Sequence, residues 1–164
     1  MKKIITLLAL LALQIVNAQV FRGKGDLKFQ LGANIQDGGT GMVSSIDFGL
    51  GQNISFGVVT SYMLNASSIG GIDARFEDRI DLKARFNANI GDVFGAEDVL
   101  DVYPGVDLGL RNFGAHLGIR YFFTEGFGVF SEIGMPIANY NTDPVAFERY
   151  NNQFFLNIGA SFSL

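Results

Sequence analysis

Between residues 26 and 37 the chain reads DLKFQLGANIQD, and its hydrophobic positions alternate without a break. Leu27, Phe29, Leu31, Ala33 and Ile35 stand at odd positions, with Asp26, Lys28, Gln30, Gly32, Asn34 and Gln36 between them. A period of two over this length predicts a β-strand with one apolar and one wet face. The same alternation predicts seven further strands. Their apolar faces begin with Met42–Leu50, Ile54–Leu64 and Ile80–Ile90, and continue with Leu100–Leu110, Leu117–Phe123, Phe127–Ile133 and Phe154–Leu164. No stretch after the first 18 residues carries a helical period. Pro104 interrupts the fifth strand, where proline removes a ladder donor, and is read as a bulge. Eight strands of about nine to twelve residues match the span of a tilted transmembrane strand.

The connections support an up-and-down order. Counting from the first strand, the odd connections are 36–41, 65–76, a short one near Arg111–Gly114, and 136–152; the even ones are 51–53, 91–98 and 124–126. Six of the seven place longer loops at one end and shorter turns at the other, the asymmetry of outer-membrane barrels.

The side-chain sizes decide which face is inside. The apolar faces carry Phe, Tyr and Leu, while the polar faces mix charges with Gly and Ser. An eight-stranded barrel has an interior only wide enough for side chains to fill, so small residues among charges suit the lumen and large rings suit the outside. Leu27, Phe29 and Leu31 are therefore expected to face lipid, and Lys28 and Gln30 the lumen. Outward aromatics fall at two heights, as in interfacial girdles: Phe48, Phe56, Tyr121, Phe123, Phe127 and Phe162 near the short turns, Tyr62, Phe76 and Phe154 near the long loops. The fold class predicted is all-β, an eight-stranded antiparallel up-and-down transmembrane β-barrel.

The first residues set the expected compartment. Lys2 and Lys3, the apolar run Ile4–Val16 and the small-residue site Val16-Asn17-Ala18 form a secretory signal peptide over 1–18, leaving a barrel domain over 19–164. Its removal would leave 10 basic against 16 acidic residues, a net charge of −6. An acidic exported chain with one histidine is a poor nucleic-acid binder. With no cysteine there is no disulfide or thiolate–metal site, and no cofactor or metal is expected.

On the phrases GIRYFFTEGFGVFSEIGM (118–135) and FFLNIGASFSL (154–164), the chain resembles small eight-stranded outer-membrane barrels of the OmpX and OmpA transmembrane-domain type, and within them an uncharacterised flavobacterial family. The resemblance implies an outer-membrane location in a Gram-negative cell, lipid and lipopolysaccharide as surroundings, and the barrel-assembly machinery as a partner in biogenesis. The last strand is similar to the signal that machinery reads, although the chain ends in Leu164 with Phe162 two residues before.

Candidate chemistry is confined to the inward charges Lys28, Asp47, Arg79, Asp81, Lys83, Arg85, Asp101, Asp107, Arg120 and Glu132. Buried charges must pair or hold water. Strand registers predict Lys83 near Asp107 and Arg120 opposite or diagonal to Glu132. Those ten residues read as a salt-bridged plug, since eight strands leave no open channel. His116 falls on the inward face with no serine fixed beside it, against the alternative of a lipid A- or phospholipid-modifying barrel enzyme. A soluble periplasmic barrel binding an apolar ligand would need Phe29, Phe56 and Phe86 around one cavity. DGGTG (37–41) lacks the continuation of a phosphate loop and reads as a hairpin. Loops 65–76 and 136–152, with Ile69, Ile72, Tyr140 and Phe147, are the expected surface for an extracellular partner. The function expected is thus a non-enzymatic, porin-like barrel with a structural or surface-interaction role.

Overall fold

The computed structural model describes residues 20–91, 99–141, 147 and 149–164. The expected signal peptide 1–18 therefore lies outside the described residues, as does nearly all of the connection 91–98. Eight strands follow in chain order: β1 Leu27–Gln36, β2 Gly39–Gly49, β3 Ile54–Ala66, β4 Ile80–Ala88, β5 Leu100–Gly109, β6 Asn112–Phe122, β7 Phe127–Asn139 and β8 Phe155–Ser163. One helical turn, α1 Phe76–Arg79, precedes β4. Each strand pairs antiparallel with its neighbours, and β8 returns to β1 to close the barrel.

The register fixes the girth. Paired positions run Asp26–Gly49–Ser55–Asn87–Gly105–His116–Gly134–Phe155–Gln36 once around the sheet. The path starts at 26 and returns to β1 at 36, a stagger of ten residues. A staggered register is what tilts the strands and sets how wide an eight-stranded barrel can be.

Glycines let rings into this narrow space. A Cβ at Gly118 would overlap the Tyr103 ring on the neighbouring strand, and one at Gly134 would overlap the Phe155 ring. Along each strand the burial alternates, with the charged and amide residues enclosed and the aliphatic ones exposed.

Several expected boundaries move. The stretch 36–41 is not a long loop: only Asp37 and Gly38 turn, with Gly38 at φ 76, and Gly39 and Gly41 belong to β2. These two glycines sit where β3 approaches too closely for a side chain, so glycine there marks strand contact and not a loop. The β5–β6 link is likewise only Leu110-Arg111, because β6 begins at Asn112; β7 runs on to Asn139. Length asymmetry at the odd-numbered end rests on the β3–β4 and β7–β8 connections alone. Pro104 makes no bulge. The β4–β5 ladder has the same register on both sides of it, with Asn87 opposite Gly105 and Ile90 N–H donating to Val102 O at 2.9 Å. Register shifts occur instead at Thr40/Gly41 and Phe113/Gly114.

Candidate functional site

The interior of the barrel is the candidate site, and its centre is Arg85 on β4. Arg85 Nε and one terminal nitrogen donate to the two oxygens of Asp47, at 2.7 and 2.6 Å. Its other terminal nitrogen donates to Glu132 Oε2 at 2.8 Å. Gln30 Oε1 and Ser45 Oγ accept, at 2.9 and 3.0 Å, from the terminal nitrogen that bonds Asp47. A bidentate guanidinium–carboxylate pair is among the strongest protein hydrogen-bond geometries. Arg120 lies below, toward the short turns. It donates to Asp101 Oδ2 at 2.7 Å, to Asn89 Oδ1 at 2.8 Å and to Asp47 Oδ2 at 3.3 Å. The two guanidiniums flank the Tyr103 ring, at 5.9 and 4.2 Å from its centroid. Tyr103 in turn accepts a hydrogen bond from Gln30 Nε2 at 3.1 Å.

This centre continues to both mouths. Toward the long loops, Asn157 Nδ2 donates to Glu132 Oε1, Asn34 Nδ2 to Asn157 Oδ1, and Gln36 Nε2 to Asn34 Oδ1. Gln36 then meets Asn151, which also accepts from Ser61 and, through its carbonyl, from Asn112. Asn151 has φ 60, a left-handed conformation that asparagine tolerates better than most residues. Beside it Met63, Ala74 and Tyr150 form a small apolar cluster, with Phe147 packed against it. Toward the short turns, Asn89 and Asp101 line a mouth cavity of about 330 Å³ whose rim carries Arg22, Lys24 and Gln52.

Each expected charge can now be placed. Lys28, Asp47, Asp81, Arg85, Asp101, Asp107, Arg120 and Glu132 are buried in the lumen, and Lys83 is nearly so. Lys28 pairs with Asp26 at 2.6 Å and donates to Ser163 Oγ at 3.0 Å. Arg79 does not join them: α1 forms where β4 was expected to start, and Arg79 Nε donates to Ala74 O at the mouth. Lys83 does not pair with Asp107 either. The register sets Lys83 opposite Gly109, its ion pair is with Asp81 at 3.5 Å, and Asp107 faces His116. Arg120 is diagonal to Glu132, whose direct partner on β6 is Gly118, but Arg120 reaches Asp101 and Asp47. His116 has both ring nitrogens engaged, Nδ1 at 3.0 Å from Asp107 Oδ2 and Nε2 at 2.8 Å from Asn87 Oδ1.

The aromatics stand on the outer wall. Tyr121, Phe123, Phe127, Phe162 and Phe29 follow one another at ring separations of 5.2 to 6.2 Å. Phe48 is paired with Phe56, whose ring is 5.0 Å from Phe86. At the other end Tyr62 meets Phe76 of α1 at 5.5 Å, and Phe154 is exposed one residue before β8. Phe29, Phe56 and Phe86 thus enclose no cavity, since Phe86 is 51% exposed and the other two belong to the same outer face.

Gln30 faces the lumen as expected; the participants not singled out from sequence are the other neutral ones, Ser45, Asn34, Asn87, Asn89, Tyr103 and Asn157, together with Asp26. Strand parity already puts all of these on the inward face. Asn151 carries no such signal, because it lies in a loop.

Fold and interior together define a class, the closed eight-stranded antiparallel β-barrel with a polar inside and an apolar outside. Among solved structures the chain is similar to one described as "De novo design of transmembrane beta-barrels", with a TM-score of 0.58 at 11% identity, covering 86% of this chain and 97% of that one. A second designed barrel, TMB2.3, solved by solution NMR, has a TM-score of 0.47 at 16% identity over 87% of this chain and 96% of that one. No curated protein matches by sequence. The chain belongs to a family of unknown function, DUF6646, whose model matches residues 11–164.

Proposed function

We propose that the chain is a non-enzymatic outer-membrane β-barrel, exported through the signal peptide 1–18, whose interior is closed by its own side chains. The observation that carries this reading is the inversion of ordinary burial. Arg85 and Arg120 are 1% and 0% exposed, while Leu117 and Phe86 are 47% and 51% exposed. In water this arrangement would leave a continuous apolar surface unpaired, whereas lipid makes it the stable one. No helix among the described residues is long and apolar enough to cross a membrane, so strands would form the span.

The hydrogen-bonded path through the lumen favours a plug over a relay, because it passes through two guanidiniums that stay protonated and transfer no proton. His116, buried between Asp107 and Asn87, favours a structural role over lipid hydrolysis. Its relatives in this reading are the OmpX and OmpA transmembrane-domain barrels and their flavobacterial counterparts. Its surroundings are outer-membrane lipid and lipopolysaccharide, and its biogenesis runs through the barrel-assembly machinery. Interaction with an extracellular partner falls to the β3–β4 and β7–β8 connections, where Ile72 and Tyr140 are exposed.

Gel mobility of unboiled and boiled samples from a washed outer-membrane fraction tests the proposal. A heat-dependent shift in that fraction is expected. Recovery only as a soluble periplasmic protein without a shift would refute it.

A further inference from the structure

The charges buried in the barrel do not balance. Among the described residues the interior holds six carboxylates, Asp26, Asp47, Asp81, Asp101, Asp107 and Glu132. Facing them are four basic side chains, Lys28, Lys83, Arg85 and Arg120. Counting the imidazole of His116 among the basic groups still leaves six facing five. An uncompensated charge in a low-dielectric interior is unfavourable enough that the site takes up a counter-charge or neutralises.

The deficit can be located. Five of the carboxylates accept a close hydrogen bond or face a cation at 3.0 Å or less: Asp26 from Lys28, Asp47 and Glu132 from Arg85, Asp101 from Arg120, and Asp107 beside His116. Asp81 is the exception. It is 2% exposed, and among the described residues neither of its oxygens meets a donor at full hydrogen-bond geometry, although the Leu82 backbone, Lys83 and the Arg111 charge lie near it. Its nearest cation, Lys83 Nζ, stands off at 3.5 Å and is shared with the face of the Phe155 ring, 5.1 Å from its centroid.

Asp81 lines a small cavity beneath Asn151, of about 20 Å³. A cavity of roughly 10–15 Å³ already accepts one water-sized guest. Its wall also holds Lys83, Asp107, Glu132, Ser61 and the amides of Asn34, Asn151 and Asn157. The amide oxygens each accept one or two hydrogen bonds within the lumen network and keep lone-pair capacity for a cation. Hard oxygen ligands select hard cations. No three acidic or imidazole groups among the described residues converge as they would around a divalent metal, so a singly charged ion matches the donor set.

We propose that the cavity beside Asp81 binds one small monovalent cation of sodium or potassium size, held by the Asp81 carboxylate with hydroxyl and amide oxygens. This rests on the closed interior alone and stands whether the outer face meets lipid or water.

The test uses the full barrel refolded in detergent. Urea unfolding, followed by circular dichroism at fixed pH, would be compared in sodium, potassium and choline chloride at equal ionic strength. Midpoints in sodium or potassium should exceed that in choline, with the folded-to-unfolded ratio rising about tenfold per tenfold cation above the dissociation constant. Asp81→Asn should abolish the difference. Equilibrium dialysis with radioactive sodium should retain one ion per folded wild-type chain and none after unfolding, which decides the matter even where the variant does not fold. Equal midpoints in all three salts with no retained sodium would overturn the proposal. So would a midpoint that follows pH but not cation, since the missing positive charge would then be a proton.

Discussion

Replacing Arg85 with methionine keeps most of the side-chain volume and removes the charge at the centre of the lumen. The guanidinium donates five side-chain hydrogen bonds, two to Asp47 and one each to Glu132, Gln30 and Ser45. After the substitution, among the described side chains, Asp47 keeps Arg120, at 3.3 Å, and Glu132 keeps Asn157 Nδ2, at 3.0 Å. Removing one partner of a buried pair costs about 3–5 kcal/mol, because the other charge stays enclosed without compensation. Arg120 supports a lower figure within that range. At roughly 3–4 kcal/mol and about 1.4 kcal/mol per decade, the folded-to-unfolded ratio falls by two to three orders of magnitude. With a urea slope of about 2 kcal/mol per molar, the midpoint drops by roughly 1.5–2 M.

The assay is a urea titration of the refolded barrel, read by mobility of unboiled samples in SDS gels. Adding Glu132→Gln to Arg85→Met should recover part of the loss, with a coupling of about 1–3 kcal/mol between the two positions. A midpoint change below about 0.3 M, with no recovery in the double variant, would refute the reasoning. It would mean that water replaces the guanidinium and that the interior is a hydrated passage.

Two further outcomes follow from the wall. Gly118→Ala places a Cβ into the Tyr103 ring and should destabilise by about 1–3 kcal/mol through overpacking, partly reversed by Tyr103→Leu in the same chain; the same urea titration reads both. Leu117 stands midway along β6 on the outer face, so Leu117→Lys should cost about 2–4 kcal/mol in lipid vesicles, against the near-neutral effect of a surface change in a barrel facing water.

The sequence by itself determined the strands and their faces. Alternation alone separates Leu27, Phe29 and Leu31 from Lys28 and Gln30, because a strand has no other way to sort its side chains. The same parity places Tyr103 and His116 inside and Phe86 and Leu117 outside. Strand ends were less legible. Glycine signals a loop and a close strand approach with the same letter, so Gly39 and Gly41 read as turn although they belong to β2. A single turn of helix before β4 leaves no periodic trace, which moved Arg79 from the lumen to the mouth.

Only the tertiary structure decided who pairs with whom. Partners inside a barrel come from across the lumen as well as from the next strand, and that choice depends on the ten-residue stagger accumulated over every register. Arg85 of β4 therefore meets Glu132 of β7, 47 positions away, and Arg120 of β6 meets Asp47 of β2, 73 positions away. Asn151 is the extreme case. Its loop has no period to read, and its place over the lumen exists only once Gln36, Ser61 and Asn112 have been brought to the same mouth by three different strands.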